Sequence, residues 1–231
     1  MKKAILWAAL IAVPLVAISG ALLFDGKRWD IAAVIAAFLS CVLFFLSFEK
    51  RRPMAREVVL IAVMTAFSVA GRVVFSVIPF FKPVIAVTVI SGMYFGPHAG
   101  FMTGAMSALI SNIYFGQGAW TPFQMFCWGF IGFAAGLLNR RGWLEKLPLL
   151  LVFGMFAGAL YSVIMDMWTV LSVDGVMSID RLLASIVAGL PIMLTYCVSN
   201  VVFLLLLRKP LGRKLQRLRT KFGVFCEDES E

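Results

Sequence analysis

Glu49-Lys50-Arg51-Arg52-Pro53-Met54-Ala55-Arg56-Glu57 sets four basic residues and a proline between the apolar runs 31–48 and 57–79. A basic knot between two membrane-length runs marks a turn on the cytoplasmic side of a bilayer. Further apolar runs lie at 4–24, 84–95, 99–115, 121–138, 147–171 and 184–207, most of them close to the ~20 residues that cross a hydrocarbon core. With Met1 inside, the inner segments collect Lys2 and Lys3, then Lys50, Arg51, Arg52 and Arg56, then Arg140, Arg141 and Lys146. The last inner segment holds Arg208, Lys209, Arg213, Lys214, Arg217, Arg219 and Lys221. The opposite side keeps Lys27, Arg28, Arg72, Lys82 and Arg181, so sixteen of the 21 basic residues fall inside. The expected fold is all-α and integral to the plasma membrane, about eight helices with both termini cytoplasmic.

Composition agrees. The chain is 61% hydrophobic and 14% charged, with a mean hydropathy of +0.95, so its apolar surface faces lipid. A net charge of +9 in a soluble protein would suggest nucleic acid. Here the positive-inside distribution accounts for it, and no nucleic-acid partner is expected. Cys41, Cys127 and Cys197 lie in apolar runs and Cys226 in the tail, without CxxC spacing, so neither a disulfide nor a zinc site is expected. His98 is the single histidine and a poor metal ligand. No cofactor is expected. The chain has no GxxxxGK[ST] loop to energise transport itself, and no HExxH or GxSxG motif, which leaves an intramembrane enzyme without visible machinery.

Three parts follow. Residues 1–55 form a transmembrane hairpin, nearly free of polar groups, with its basic linker. Its first run resembles a secretory leader, but continues through Leu22, Leu23 and Phe24, longer than a usual signal core, and is read as a span. Residues 56–207 form a six-helix core that carries Gly, Pro, Asn, Gln, Trp and Asp at membrane depth, where polar groups need partners or a cavity. Residues 208–231 form a basic tail with an acidic, disordered end at Glu227–Glu231. In the tail Leu211, Leu215, Leu218 and Phe222 repeat at helical spacing, which fits either an interfacial helix or a solvated tail.

Within the core, Gly96, Gly100, Gly104 and Ala108 repeat every four residues and predict tight helix packing. Ala62, Ala66 and Ala70 make a similar strip, which suits packing within the bundle or docking of a second membrane protein. The stretch from Asn112 to Met125, with Tyr114, Gln117, Trp120, Thr121 and Gln124, joins amides and aromatic faces around a turn opened by Gly116 and Gly118. An interfacial aromatic belt needs less than this, and the mix suits a polar organic ligand with a ring. Phe81 and Lys82 in the loop Pro79–Pro83, together with Arg72, Asp166 and Trp168, face the same side. Arg72 and Asp166 are expected either to pair or to meet a ligand. Tyr196 and Asn200 read as interhelical hydrogen-bonding residues.

From Arg56 to Leu138 the chain resembles the substrate-binding membrane subunits, or S components, of energy-coupling-factor (ECF) vitamin transporters. The resemblance rests on AVMTAFSVAGR, FKPVIAVTVISGMYFGPHAGFMTGAMSALISN and FGQGAWTPFQMFCWGFIGFAAGLL. It implies that Ala62, Ala66 and Ala70 dock a transmembrane scaffold subunit driven by two cytoplasmic ATPases. It also implies a vitamin site near the outer surface, under the loop Pro79–Pro83, with Gln117, Trp120 and Gln124 nearby. FGQGAWTPFQM looks most like sequences associated with cobalamin-type substrates. The extra N-terminal hairpin departs from the usual six-helix pattern. The competing class is a membrane assembly protein without a small ligand.

Overall fold

The computed structural model describes residues 29–50 and 53–225. The run at 4–24 and its leader-like character, Arg51 and Arg52, Cys226 and the acidic end lie outside the described residues. The helices are α1 (Trp29–Lys50), α2 (Ala55–Val74), α3 (Val84–Phe95), α4 (Pro97–Phe115), α5 (Thr121–Asn139), α6 (Leu147–Asp174) and α7 (Ile179–Phe222), and no strand occurs among the described residues. One 3₁₀ turn, Phe75–Val77, continues α2 and another, Trp143–Glu145, precedes α6. The spans Ala55–Val77, Thr121–Asn139, Leu147–Asp174 and Ile179–Phe222 are each long and apolar enough to cross a membrane. The protein is an integral membrane helical bundle.

The short helix α3 sits at its centre. Every residue from Val84 to Met93 is buried, as is Phe95, which is the pattern of a helix apolar on all sides. It is covered by α5, α4, α7 and α2. Gly96, at φ 90°, turns the chain and Pro97 opens α4 without losing a needed N–H.

The glycine line brings two helices into main-chain contact. A Cβ on Gly100 or Gly132 would strike the other's backbone, and one on Gly104 would strike the backbone of Trp128 and Gly129. Four-residue spacing therefore lets α4 and α5 touch main chain to main chain, as small-residue faces do in lipid. α1 is fastened to this pair by Phe44, which stacks on Phe101 at 3.8 Å and meets Phe133 edge-on at 5.5 Å.

The last helix differs from the sequence reading. The apolar run expected to end near Leu207 continues to Phe222 as one 44-residue helix. Pro191 and Pro210 each remove a ladder bond within it. The helix persists because its extension is packed: Gly212 lies against the Tyr94 ring, Leu215 is buried, and beyond the helix Phe225 stacks on Phe95 at 4.7 Å. The Phe225 N–H donates to Glu57 Oε1 at 2.7 Å, while Glu57 Oε2 accepts from the Met54 N–H at the start of α2. Up to Phe222 the tail thus continues α7, packed on one face through Gly212 and Leu215 and exposed on the other at Arg213, Lys214 and Arg217.

Replacing Gly132 with Leu drives a branched side chain into the backbone of α4. The expected cost is about 1–3 kcal/mol or more, seen as a lower melting temperature and less monodisperse protein in detergent.

Candidate functional site

Lys82 in the loop between α2 and α3 is held by reciprocal main-chain bonds to α7. Its N–H donates to Ser199 Oγ at 2.9 Å, and Ser199 Oγ donates to its carbonyl at 3.0 Å. Phe81 turns into an aromatic cluster with Phe75 and Phe203. Phe80 is forced into the left-handed region at φ 59°, a strained conformation for a bulky residue, and its ring meets Tyr196 edge-on at 5.7 Å.

Beneath this loop lies a cavity of about 190 Å³. Phe80, Lys82 and Arg72 line its loop side, and Trp128, Tyr161 and Tyr196 supply aromatic walls, with Val84, Ile85 and Asn200 completing it. Tyr161 and Tyr196 meet edge-on at 5.0 Å, and Trp128 lies 5.6 Å from Tyr161. Burial, and then the field of Arg72, hold the Lys82 ammonium below the ordinary lysine range.

Arg72 is fixed by neutral partners. Its guanidinium donates to Asn112 Oδ1 at 2.8 Å and to Ser111 Oγ. It also lies over the rings of Phe115 at 4.6 Å and Trp128 at 5.1 Å. Lys82 approaches the same Phe115 ring at 5.1 Å. Behind this wall Asn112 Nδ2 donates to Gln124 Oε1 at 2.7 Å and to Thr121 Oγ1 at 3.1 Å. Gln124 Nε2 in turn donates to the Tyr161 hydroxyl at 2.8 Å. One chain of hydrogen bonds links Arg72 on α2 to Tyr161 on α6.

Of the residues chosen from sequence, Lys82 lines the cavity. Asn112, Thr121 and Gln124 stand one layer behind it. Gln117 folds over its own turn, donating to the Leu109 carbonyl at 2.8 Å and accepting from Thr121 at 3.0 Å. Trp120 lies flat on Gly118, and Tyr114 points outward against Phe115. The Arg72–Asp166 pair does not form: Asp166 accepts from Ser185 Oγ at 3.2 Å in a niche on α7 beside Gly189, away from Arg72. Trp168 packs on Phe123 at 5.1 Å. Sequence reasoning passed over Phe80, Trp128 and Tyr161 as wall residues. Trp128 and Tyr161 are polar-tipped aromatics inside apolar runs, the one signal available for them. Asn200 does bond between helices, its Nδ2 donating to the Gly154 carbonyl at 3.0 Å, and Tyr196 meets the Tyr161 ring of α6 edge-on; both also face the cavity. Ala62, Ala66 and Ala70 are exposed along one face of α2 and take no part in packing within the bundle.

Residues 53–217 match the family model described as ECF-type riboflavin transporter, S component. The chain belongs to this family. No solved structure matches it. The matched span starts at the linker before α2, so α1 of this S component lies outside it, as does the described segment after Arg217.

Ser199→Ala removes both bonds that fasten the loop. Chymotryptic cleavage after Phe80 or Phe81 should accelerate about tenfold, the weight of one or two net hydrogen bonds, with the melting temperature little changed.

Proposed function

We propose that this S component captures a vitamin with a flat, carbonyl-bearing aromatic ring, riboflavin in the first instance, in the cavity beneath Pro79–Pro83. The observation that carries this reading is the cavity wall itself: Trp128, Tyr161, Tyr196 and Phe80 surround two cations, Arg72 and Lys82. An isoalloxazine ring offers wide π faces for stacking and pyrimidinedione carbonyls that accept from a guanidinium or an ammonium. The family description, which names riboflavin, points the same way.

The cobalamin reading is weaker on size. Ligand sites usually enclose ~300–1,000 Å³, and the cavity has about 190 Å³. Modest outward movement of the loop admits a flavin, whereas a corrinoid with its side chains and nucleotide loop needs several times more room. The strained Phe80 and the two Ser199 bonds make the loop the natural entrance.

In this reading the basic end of the bundle faces the cytoplasm and the loop faces outward, following the distribution of Lys and Arg. Transport then requires partners, a transmembrane scaffold subunit and two ATPases, because the chain has no phosphate loop of its own. The exposed strip Ala62, Ala66 and Ala70 is the face proposed to meet the scaffold, since small residues let two helices approach closely in lipid. No covalent chemistry on the vitamin is needed.

Titrating purified protein into riboflavin should quench flavin fluorescence to a one-to-one end point. Tyr196→Ala should weaken binding about tenfold or more through lost stacking. Saturable quenching by a corrinoid but not by riboflavin reverses the substrate assignment, and no binding of either by folded protein favours the ligand-free assembly protein instead. Ala66→Trp should abolish co-purification with the scaffold while leaving riboflavin affinity unchanged; loss of both, or of neither, removes the strip from its proposed role.

A further inference from the structure

Arg72 fixes a direction as well as a position. A guanidinium has hydrogens to give and no lone pair to receive, so Asn112 turns its Oδ1 toward Arg72, at 2.8 Å. Its Nδ2 is then the atom that reaches Gln124 Oε1 at 2.7 Å. That leaves Gln124 its Nε2 for the Tyr161 hydroxyl, at 2.8 Å. A side-chain amide can ordinarily sit either way round, but the charge at the head of this chain sets both. A side branch runs in the same direction, from Asn112 Nδ2 to Thr121 Oγ1, from Thr121 to Gln117 Oε1, and from Gln117 Nε2 to the Leu109 carbonyl. Neither branch contains a reversal. Asn112, Thr121, Gln124 and Tyr161 are all buried, so bulk water does not relax the order.

The direction reaches the cavity at Tyr161, whose oxygen serves Gln124 as an acceptor. The Tyr161 and Tyr196 rings meet edge-on at 5.0 Å, and both line the cavity. Neither hydroxyl donates to a carbonyl or carboxylate among the described residues. Two hydroxyls carry two protons, and a bond within the pair uses at most one of them. Whichever way that bond runs, one O–H is left for the cavity. Its donor strength is raised because each bond in a chain headed by a cation polarises the next.

We propose that Gln124 is a positioning residue for substrate choice, holding the tyrosine pair as a hydrogen-bond donor to the ligand. The site then selects a ring that turns an acceptor toward the pair, a carbonyl oxygen or a bare ring nitrogen, and rejects one that offers N–H or C–H there. The inference rests on the vitamin reading of the cavity and adds the means of discrimination. Aromatic walls alone hold any flat ring of the right size. A buried donor left without its acceptor costs more than a matched one gains, so a site built to give a hydrogen bond discriminates where stacking does not. An isoalloxazine meets the demand with two carbonyl oxygens and the bare nitrogen N5 along one edge. Gln124 thus acts on the ligand through Tyr161, one layer behind the wall.

Gln124→Glu keeps the size of the side chain and reverses the far end of the chain. Ionised in the field of Arg72, the new carboxylate accepts from Tyr161, Tyr161 accepts from Tyr196, and no O–H remains for the ligand. The test uses full-length protein in detergent, with riboflavin affinity read by fluorescence quenching and a melting curve in parallel. 5-Deazariboflavin, 2-thioriboflavin and 4-thioriboflavin, each of which weakens one acceptor, are measured by displacement of riboflavin. At least one analogue should bind wild-type protein about tenfold more weakly than riboflavin, the weight of one hydrogen bond. In Gln124→Glu that ratio should fall toward one while riboflavin itself weakens about tenfold. Tyr161→Phe/Tyr196→Phe, which keeps both rings, should give the same collapse, and adding Gln124→Glu to it should change the ratio no further. The tyrosine variant carries the test alone if Gln124→Glu lowers the melting temperature. Riboflavin binding with no analogue penalty, or with a penalty that survives these variants, overturns the proposal and leaves the vitamin reading standing. Folded wild-type protein that binds no riboflavin overturns both.

Discussion

A guanidinium carried on a transmembrane helix must be solvated by protein, because hydrocarbon offers it nothing. Arg72 meets that demand without a carboxylate. It takes a hydroxyl from Ser111, an amide oxygen from Asn112 and the faces of Phe115 and Trp128. Those partners belong to α4 and α5, and through Gln124 the same network reaches Tyr161 on α6. One charge therefore registers four helices against one another, and the cavity is the space left beside it. A neutral shell also leaves the positive charge uncompensated, so the cavity is electropositive by construction.

The architecture was largely legible from sequence because hydropathy, basic residues and Gly/Pro punctuation act locally. The turns at Gly96-Pro97 and Gly116 to Pro122 and the glycine contact between α4 and α5 follow from residues read in order. Two things did not. The end of the last helix was misplaced at Leu207 because its extension is stabilised by Tyr94, Phe95 and Glu57, residues more than a hundred positions away. The wall of the cavity was only partly foreseen, since amide-rich stretches look like ligand sites whether they face a cavity or support it. Asn112, Thr121 and Gln124 bond to one another and to the wall, and the surfaces that face the space are the aromatics Trp128, Tyr161 and Tyr196. Pairing Arg72 with Asp166 from charge alone failed for a related reason: helix rotation turned Asp166 toward Ser185.

The two ends of the bundle are organised differently. At one end a strained loop closes over an aromatic chamber, fastened by the single side chain of Ser199. At the other, the chain beyond α7 is clipped by Glu57 and Phe95 to the helices that begin and end there. Between them α3 is buried at every residue but Tyr94, while α2 keeps its alanine face bare. In the proposed reading a partner gripping α2 turns or tilts such a body as a unit. Capture and handover are then separate tasks carried by separate surfaces.

Hydrogen–deuterium exchange with and without riboflavin asks most directly whether the chamber under the loop is where the vitamin rests. Protection concentrated at Phe80–Ile85 and around Tyr196–Asn200, with the segment after Arg208 unchanged, is the expected result. Saturating riboflavin that leaves the loop and its α7 contact unprotected, or protects only the basic end, contradicts the site.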